Sequence, residues 1–135
     1  MTRRNEILET AMRAFKARDE GDIEDIMVLF HPNAVFDLKG DKRLLDVAGA
    51  VEGHSNLQAA FSQLIEVFQF KKRDILDTIV EGYRVAVHSH VDVLFVPKNK
   101  SFTLDILDVF EFKDGKIIKL VEFTDTALIK SVATG

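Results

Sequence analysis

Two histidines and an aspartate stand at alternate positions in the segment His88-Ser89-His90-Val91-Asp92. Successive side chains of a β-strand point to opposite faces, so these three side chains would share one face, with neighbours about 6.6 Å apart. Imidazoles titrate near neutral pH and can donate or accept protons. The spacing therefore indicates a site for proton transfer. Two imidazoles and a carboxylate on one face can also bind a metal ion, but a hydrogen-bonded pair is commoner and no metal is expected.

One carboxylate interrupts a strand face that is otherwise apolar. Asp108 alternates with Phe102, Leu104, Ile106, Phe110 and Phe112. Because an unpaired buried charge is costly, Asp108 is expected either to have a hydrogen-bond partner or to act as an acid or base whose pKa is raised by desolvation. Glu122, further along the chain, is expected to pair with His90 or with a cross-strand histidine.

The strand that carries the histidines has a second, apolar face. Its residues are Val85, Val87, Val91, Val93 and Phe95. If the histidines face a pocket, the valine face needs another cover, and a second subunit is the natural one. We therefore predict a homodimer packed sheet against sheet. Four further residues are expected on the same outer patch, namely Leu107, Val109, Val121 and Phe123.

Three helices are predicted in the first half of the chain. Apolar residues recur at helical spacing from Ile7 to Phe15, and this first helix should end near Gly21. Asp22 is typical of the N-cap of a short second helix, which Pro32 stops. A short strand at 34–38 and a long loop at 39–53 follow. The run Ser55-Asn56-Leu57-Gln58 has the pattern of a capping box and opens the third helix.

The second half of the chain changes to the two-residue period of β-strands. Strands are predicted at about 70–81, 84–96, 101–113 and 116–126, and Asp114-Gly115 is a strong hairpin signal. Helices followed by a meander of strands predict a single α+β domain, residues 1–135, in which a curved antiparallel sheet carries helices on one face.

Composition excludes several classes of function. The net charge of −4 disfavours nucleic acid as a partner, and the basic runs Arg3-Arg4 and Lys71-Lys72-Arg73 are expected on solvated faces. No apolar run is long enough for a membrane span, so a cytoplasmic protein is the default expectation. The absence of cysteine excludes disulfides and thiolate chemistry. The content of eleven Phe, one Tyr and no Trp favours an apolar interior or an apolar ligand cavity.

Three stretches resemble a known family. They run from Glu20 to Phe36 (with Gly21-Asp22, Leu29-Phe30 and Ala34-Val35-Phe36), from Asp108 to Ile117, and from Glu122 to Thr126. They are similar to SnoaL-like polyketide cyclases and ketosteroid isomerase relatives of the nuclear transport factor 2-like superfamily. The resemblance implies a cone in which the sheet wraps around three N-terminal helices and encloses an apolar cavity. It places on the concave side His88, His90, Asp92, Asp108, Phe110, Leu120, Glu122 and Thr124.

The chain departs from the ketosteroid isomerases at two positions. Aligned on Gly21-Asp22, Ala14 stands where those enzymes have an oxyanion-hole Tyr, and Leu38 stands where they have the general-base Asp. Asp37 is adjacent to that position and would serve as an alternate acid if the register slipped by one residue. Asp108 matches the second oxyanion-hole acid. Steroid isomerisation by that mechanism is therefore not expected.

Two functions remain open from the sequence. The first is an enzyme that moves a proton at a carbon next to a carbonyl in a small apolar substrate, by isomerisation or cyclisation. Asp108 would be its acid or base, and His88 and His90 would position or protonate the oxygen. Phe61, Phe110 and Leu120 would shape the cavity, and no cofactor is needed because oriented hydrogen bonds stabilise an enolate. The second is a ligand-binding or dimerisation module without catalysis.

Overall fold

Four α-helices and six β-strands are present in the computed structural model, which describes residues 3–43 and 45–135. The helices are α1 (Arg3–Glu20), α2 (Ile23–Met27), α3 (His54–Val67) and α4 (Thr126–Thr134). The strands are β1 (Phe30–Leu38), β2 (Gly49–Glu52), β3 (Phe68–Glu81), β4 (Arg84–Phe95), β5 (Lys100–Lys113) and β6 (Lys116–Thr124). None of the helices in these described ranges is long and apolar enough to cross a membrane.

The helix starts agree with the sequence in one case and differ in another. Asp22 caps α2 as predicted, because its side chain accepts a hydrogen bond from the Asp25 backbone N–H at 3.1 Å. The predicted capping box of α3 is wrong. Gly53 is the N-cap, with a φ of 89° that suits glycine, and no side chain caps the helix. Ser55 lies within the first turn instead.

The six strands form one curved sheet in the order β2-β1-β6-β5-β4-β3. The predicted α+β class and curved sheet are confirmed, but the sheet is mixed because β1 runs parallel to β6. Hairpins force the sequential strands β3 to β6 to be antiparallel, whereas β1 reaches β6 from a distant part of the chain, which leaves its direction free. Strand β1 also begins earlier than predicted, at Phe30, and its register shifts before Val35.

The two faces of β4 are opposite to those that the sequence analysis assigned. Val85, Val87 and Val91 are fully buried against the helices, whereas His88 and His90 lie on the outer face of the sheet. The pairing of Val87 with Asp108 places the valines on the face that carries Asp108. The helices cover only one sheet face, and that face takes the more apolar of the two sets of β4 residues. The predicted inward placement of the histidines is wrong.

The core fills the space between the concave sheet face and the helices. Ile7, Ala11 and Phe15 of α1 pack there with Leu57 and Phe61 of α3. The ring of Phe15 meets the ring of Phe110 edge to face, with centroids 5.4 Å apart, and this contact anchors α1 to β5. The two helices and the sheet thereby fix the walls of a central cavity.

Candidate active site

A cavity of about 70 Å³ lies between the helices and the concave face of the sheet. Hydrocarbon side chains make up most of its wall. Five polar side chains interrupt that wall, namely Arg18, Arg73, Asp108, Glu122 and Thr124. The predicted lining residues Phe61, Phe110 and Leu120 also contact the cavity, whereas the described residues of β4 do not line it.

Asp108 is the most deeply buried charged residue of the described chain, with 2% of its surface exposed. It stands on β5 directly opposite Glu122 of β6, and the two carboxyl groups hydrogen-bond each other. Burial, followed by the charge and the hydrogen bond of Glu122, raises the pKa of Asp108 well above its usual range. Burial in this apolar cavity therefore favours the protonated form of Asp108. Its Oδ1 atom has no hydrogen-bond partner among the described residues.

Arg18, in the last turn of α1, brings a positive charge to the cavity wall. Its Nη2 donates hydrogen bonds to the backbone oxygens of Phe68, at 2.8 Å, and of Leu64, at 3.4 Å. The guanidinium also lies over the Phe70 ring, 3.8 Å from the centroid. Burial lowers the pKa of Arg18 to about 10, and the charge of Glu122 is the largest influence in the opposite direction. The group remains charged at neutral pH and keeps N–H donors that no described residue accepts.

Arg73 of β3 ties the sheet to α1. Its side chain is only 7% exposed and forms a two-pronged ion pair with Asp19, with both N–O distances at 2.9 Å. Its Nη1 donates to Ser89 Oγ at 3.0 Å, and its guanidinium lies over the Phe15 ring. The expectation that the run Lys71-Lys72-Arg73 is solvated is wrong for Arg73, because strand alternation turns it opposite Val91 on the concave face.

The histidines form a separate cluster on the outer face. His90 Nδ1 lies 2.9 Å and His88 Nε2 lies 3.5 Å from Asp105 Oδ1, and the histidine side chains are 41% and 43% exposed. The hydrogen bond of His90 is the main cause that lowers the pKa of Asp105. Glu122 pairs with Asp108 rather than with a histidine, so that expectation is wrong. Within the described ranges, no group of His, Cys, Asp or Glu residues is arranged to hold a metal ion.

Two other sequence candidates also lie outside the cavity. Asp92 is exposed on the outer face beside His90, for the same reason of strand alternation. Asp37 forms an ion pair with Lys39 at 2.7 Å, and its neighbour Leu38 lines the cavity. Ala14 lines the cavity as well. The two positions that carry the Tyr and the base in the resembling isomerases thus present only hydrocarbon.

The sequence analysis missed both arginines of the site. A signal for Arg73 was available, because Ser89 is the single polar residue on the valine face of β4 and a buried hydroxyl needs a partner. Arg18 carried no such signal, since its position near the end of α1 is equally typical of a solvated helix terminus. Together these residues give the cavity two neighbouring carboxyl groups, one of them with a raised pKa, and one arginine with free donors. That set can exchange a proton with a bound molecule and stabilise a developing negative charge.

Solved structures with the same fold cover several activities. A proposed isomerase from Bacillus subtilis matches 100% of this chain and 97% of its own, at a TM-score of 0.89 and 15% identity. A proposed SnoaL-like polyketide cyclase from Jannaschia sp. CCS1 matches 97% and 94%, at 0.80 and 19% identity. An LEH-like epoxide hydrolase from M. tuberculosis matches 99% and 100%, at 0.76 and 14% identity.

These identities are low, so the structural matches establish the fold and not the reaction. No curated protein sequence is significantly similar to this chain. The family model of the SnoaL-like domain matches residues 11–120, which include the second half of α1 and the Asp108 strand but end before Glu122. The chain therefore belongs to the SnoaL-like domain family.

Proposed function

We propose that this protein is an enzyme that moves a proton at a carbon next to a carbonyl, in an isomerisation or cyclisation of an apolar substrate. The observation that carries the proposal is the pair of carboxyl groups, Asp108 and Glu122, inside an apolar cavity. Two carboxyl groups that share one proton supply an acid and a base at the same pH. No metal or redox cofactor is needed for this chemistry.

The two carboxyl groups would take opposite roles, with Glu122 as the base and Asp108 as the acid. Glu122 takes the proton from the carbon, and the C–H electron pair becomes the C=C bond of an enol while Asp108 gives its proton to the carbonyl oxygen. The pair holds one proton before and after the step. The enol then takes a proton at another carbon, or it attacks a second carbonyl and closes a ring. Acid–base catalysis of this kind contributes roughly 10²–10⁴-fold in rate.

Arg18 takes the part that the sequence analysis assigned to His88 and His90. Its free N–H groups can donate to the carbonyl oxygen as negative charge develops there, and burial strengthens that interaction. His88 and His90 lie on the other side of the sheet from the cavity, so no catalytic role is proposed for them.

A compact ketone provides a direct test. Exchange of the protons next to the carbonyl of 2-butanone for deuterium, followed by NMR in D₂O, reports proton abstraction without knowledge of the natural substrate. We expect the wild-type protein to accelerate the exchange, and Asp108→Asn and Glu122→Gln each to lower the acceleration by roughly 10²-fold or more. Asp105→Asn, on the same strand but the outer face, is the matched control and should leave the rate unchanged. Equal rates for all four proteins would refute the proposal.

One observation favours a second candidate, a ligand-binding module without catalysis. Ala14 and Leu38 leave the cavity without the hydroxyl and the carboxylate that the ketosteroid isomerases use. A passive binder would bind 2-butanone without any exchange above the rate of the buffer. It would also bind the ketone equally well after Glu122→Gln, because no proton is transferred.

We also propose a homodimer through the outer face of the sheet. The valine face of β4 no longer supports a dimer, because the helices bury it. The outer patch does support one. Leu107 and Phe123 pair across β5 and β6 with 39% and 44% of their surfaces exposed, and Val109 and Val121 continue the patch. Exposed apolar patches of this kind are typical of interaction surfaces.

A further inference from the structure

The cavity that is lined by Asp108 and Glu122 is called the catalytic cavity below. A second cavity, which we call the vestibule, lies beside it. It has a volume of about 190 Å³ and is bounded by α3, α4 and the segment that precedes β2. Four residues form a wall common to both cavities, namely Leu45, Val47, Leu64 and Phe68. The vestibule is thus separated from the Asp108–Glu122 pair by apolar side chains alone on this side.

The volumes of the catalytic cavity and the vestibule limit how much of a substrate each can hold. An apolar cavity of about 150 Å³ is known to bind benzene. The catalytic cavity, at about 70 Å³, is less than half that size, whereas the vestibule, at about 190 Å³, exceeds it. The catalytic cavity therefore accommodates a reacting group of a few atoms, and a larger substrate must place its remaining atoms elsewhere.

The lining of the vestibule defines the chemistry of those remaining atoms. Val67, Phe95 and Ala133 add hydrocarbon to the shared wall. Two charged residues of opposite sign, Asp46 and Lys130, line the vestibule, as do Gln63 and Thr134. The vestibule lining thus has one charge of each sign and no net formal charge. Its lining favours a neutral apolar chain or ring.

We propose that the vestibule is the second half of the substrate site and binds the apolar body of an elongated substrate, whose terminal carbonyl reaches Asp108. This inference rests on the proposed function for the orientation of the carbonyl. It assigns the substrate to a class, the neutral, apolar ketones or acyl compounds that are too long for the catalytic cavity alone. The shared wall of Leu45, Val47, Leu64 and Phe68 is where the chain passes between the two cavities.

The chain-length dependence of binding tests this inference. Dissociation constants for the straight-chain methyl ketones from 2-butanone to 2-nonanone are measured by ligand-observed NMR. Each methylene that enters the vestibule should tighten binding by about fourfold, the factor that corresponds to roughly 0.8 kcal/mol per buried CH₂. Ala133→Phe fills the vestibule and should abolish this gain for the long ketones while it leaves 2-butanone unaffected. Ala127→Phe, at an exposed position of the same helix, is the matched control.

A second variant guards against a folding defect. Thr134→Trp also intrudes on the vestibule, but from an exposed position, so it should reproduce the effect of Ala133→Phe in a protein with an unchanged melting temperature. Affinity that does not rise with chain length, or that falls equally for short and long ketones in both variants, would overturn the inference. Binding that depends on chain length without any deuterium exchange would support the vestibule and refute only the proposed enzyme.

Discussion

Arg18 is a charged group in the cavity wall, and its free N–H donors are available to hydrogen-bond a bound molecule. It is fixed by the backbone oxygens of Leu64 and Phe68 and by the Phe70 ring, so its position does not depend on Asp108 or Glu122. A rigid donor that faces developing charge stabilises the transition state more than the ground state. Under the proposed mechanism we therefore expect Arg18 to contribute to the rate more than to substrate binding.

Replacing Arg18 should separate these two effects. We expect Arg18→Met, which keeps most of the hydrocarbon bulk, to lower kcat for ketone deuterium exchange by roughly 10²-fold and to change KM only slightly. Arg18→Lys should recover part of the loss, because it restores the charge without the planar group. The two constants are obtained from exchange rates over a range of 2-butanone concentrations. A loss that appears only in KM would assign Arg18 to substrate binding instead.

Asp108 should make the stability of the protein depend on pH in an unusual direction. Its pKa is raised in the folded state, so between its ordinary pKa and the raised pKa the folded chain binds more protons than the unfolded chain does. Stability from this group is fully present below its ordinary pKa and falls as the pH rises through the folded pKa.

Asp108→Asn removes this dependence, since asparagine does not titrate. We expect the melting temperature of the variant to exceed that of the wild type at pH 8, and the difference to be smaller or zero at pH 5. Each kcal/mol of added stability corresponds to a rise of roughly 3 °C in melting temperature. Thermal unfolding followed by circular dichroism at several pH values measures the difference. A melting-temperature difference that stays constant across that pH range would contradict the raised pKa of Asp108. A more stable but inactive variant is typical of strained functional residues.

The ion pair between Arg73 and Asp19 acts at the level of elements, because it joins β3 to the end of α1. Breaking a buried pair by removal of one partner typically costs 3–5 kcal/mol. Asp19 retains partial exposure, so we expect Arg73→Met to lower the free energy of unfolding by about 2–3 kcal/mol in urea titration. Lys71→Met, an exposed residue of the same strand, is the control and should have almost no effect. The double variant Arg73→Met, Asp19→Asn should regain part of the lost stability, because it no longer leaves the Asp19 carboxylate without its partner.

The elements themselves were largely predictable from the sequence, and their exceptions have local causes. The period-two pattern located β3 to β6 within about two residues, because each strand is long and is bounded by a turn. Strand β2 has only four residues and no alternation that distinguishes it from a loop. Helix α4 was missed although Asp125 caps it and Leu128, Ile129 and Val132 have helical spacing, because the predicted last strand was extended to residue 126, where the short helix begins.

The candidate site was predictable only in part, because the decisive information is not local. Alternation shows that His88 and Val87 lie on opposite faces of β4, but it does not show which face meets the helices. The cross-strand pairing of Val87 with Asp108 settles that question, and it depends on the register between two strands. Asp108 was found because its own face is so apolar. Its partner Glu122 was misassigned to a histidine for the same lack of register.

At the scale of the whole molecule, the two faces of the sheet carry different groups of residues. The concave face encloses the carboxyl pair, and the outer face carries the patch of Leu107, Val109, Val121 and Phe123 beside the His88–Asp105–His90 cluster. A dimer that buries the outer face would leave the cavity open to substrate, because the vestibule lies among α3, α4 and the chain before β2. Assembly and catalysis should therefore be separable.

Leu107→Lys tests this separation. A lysine in the centre of the patch would place like charges together at a symmetric interface, which makes association unfavourable by several kcal/mol. Sedimentation equilibrium should show a dimer for the wild type and a monomer for the variant, while ketone exchange per chain stays the same. Val28→Lys, another exposed apolar residue but outside the sheet face, is the matched control and should remain a dimer. A monomeric wild type would refute the interface, and a monomeric variant with lost exchange would show that the two faces are coupled.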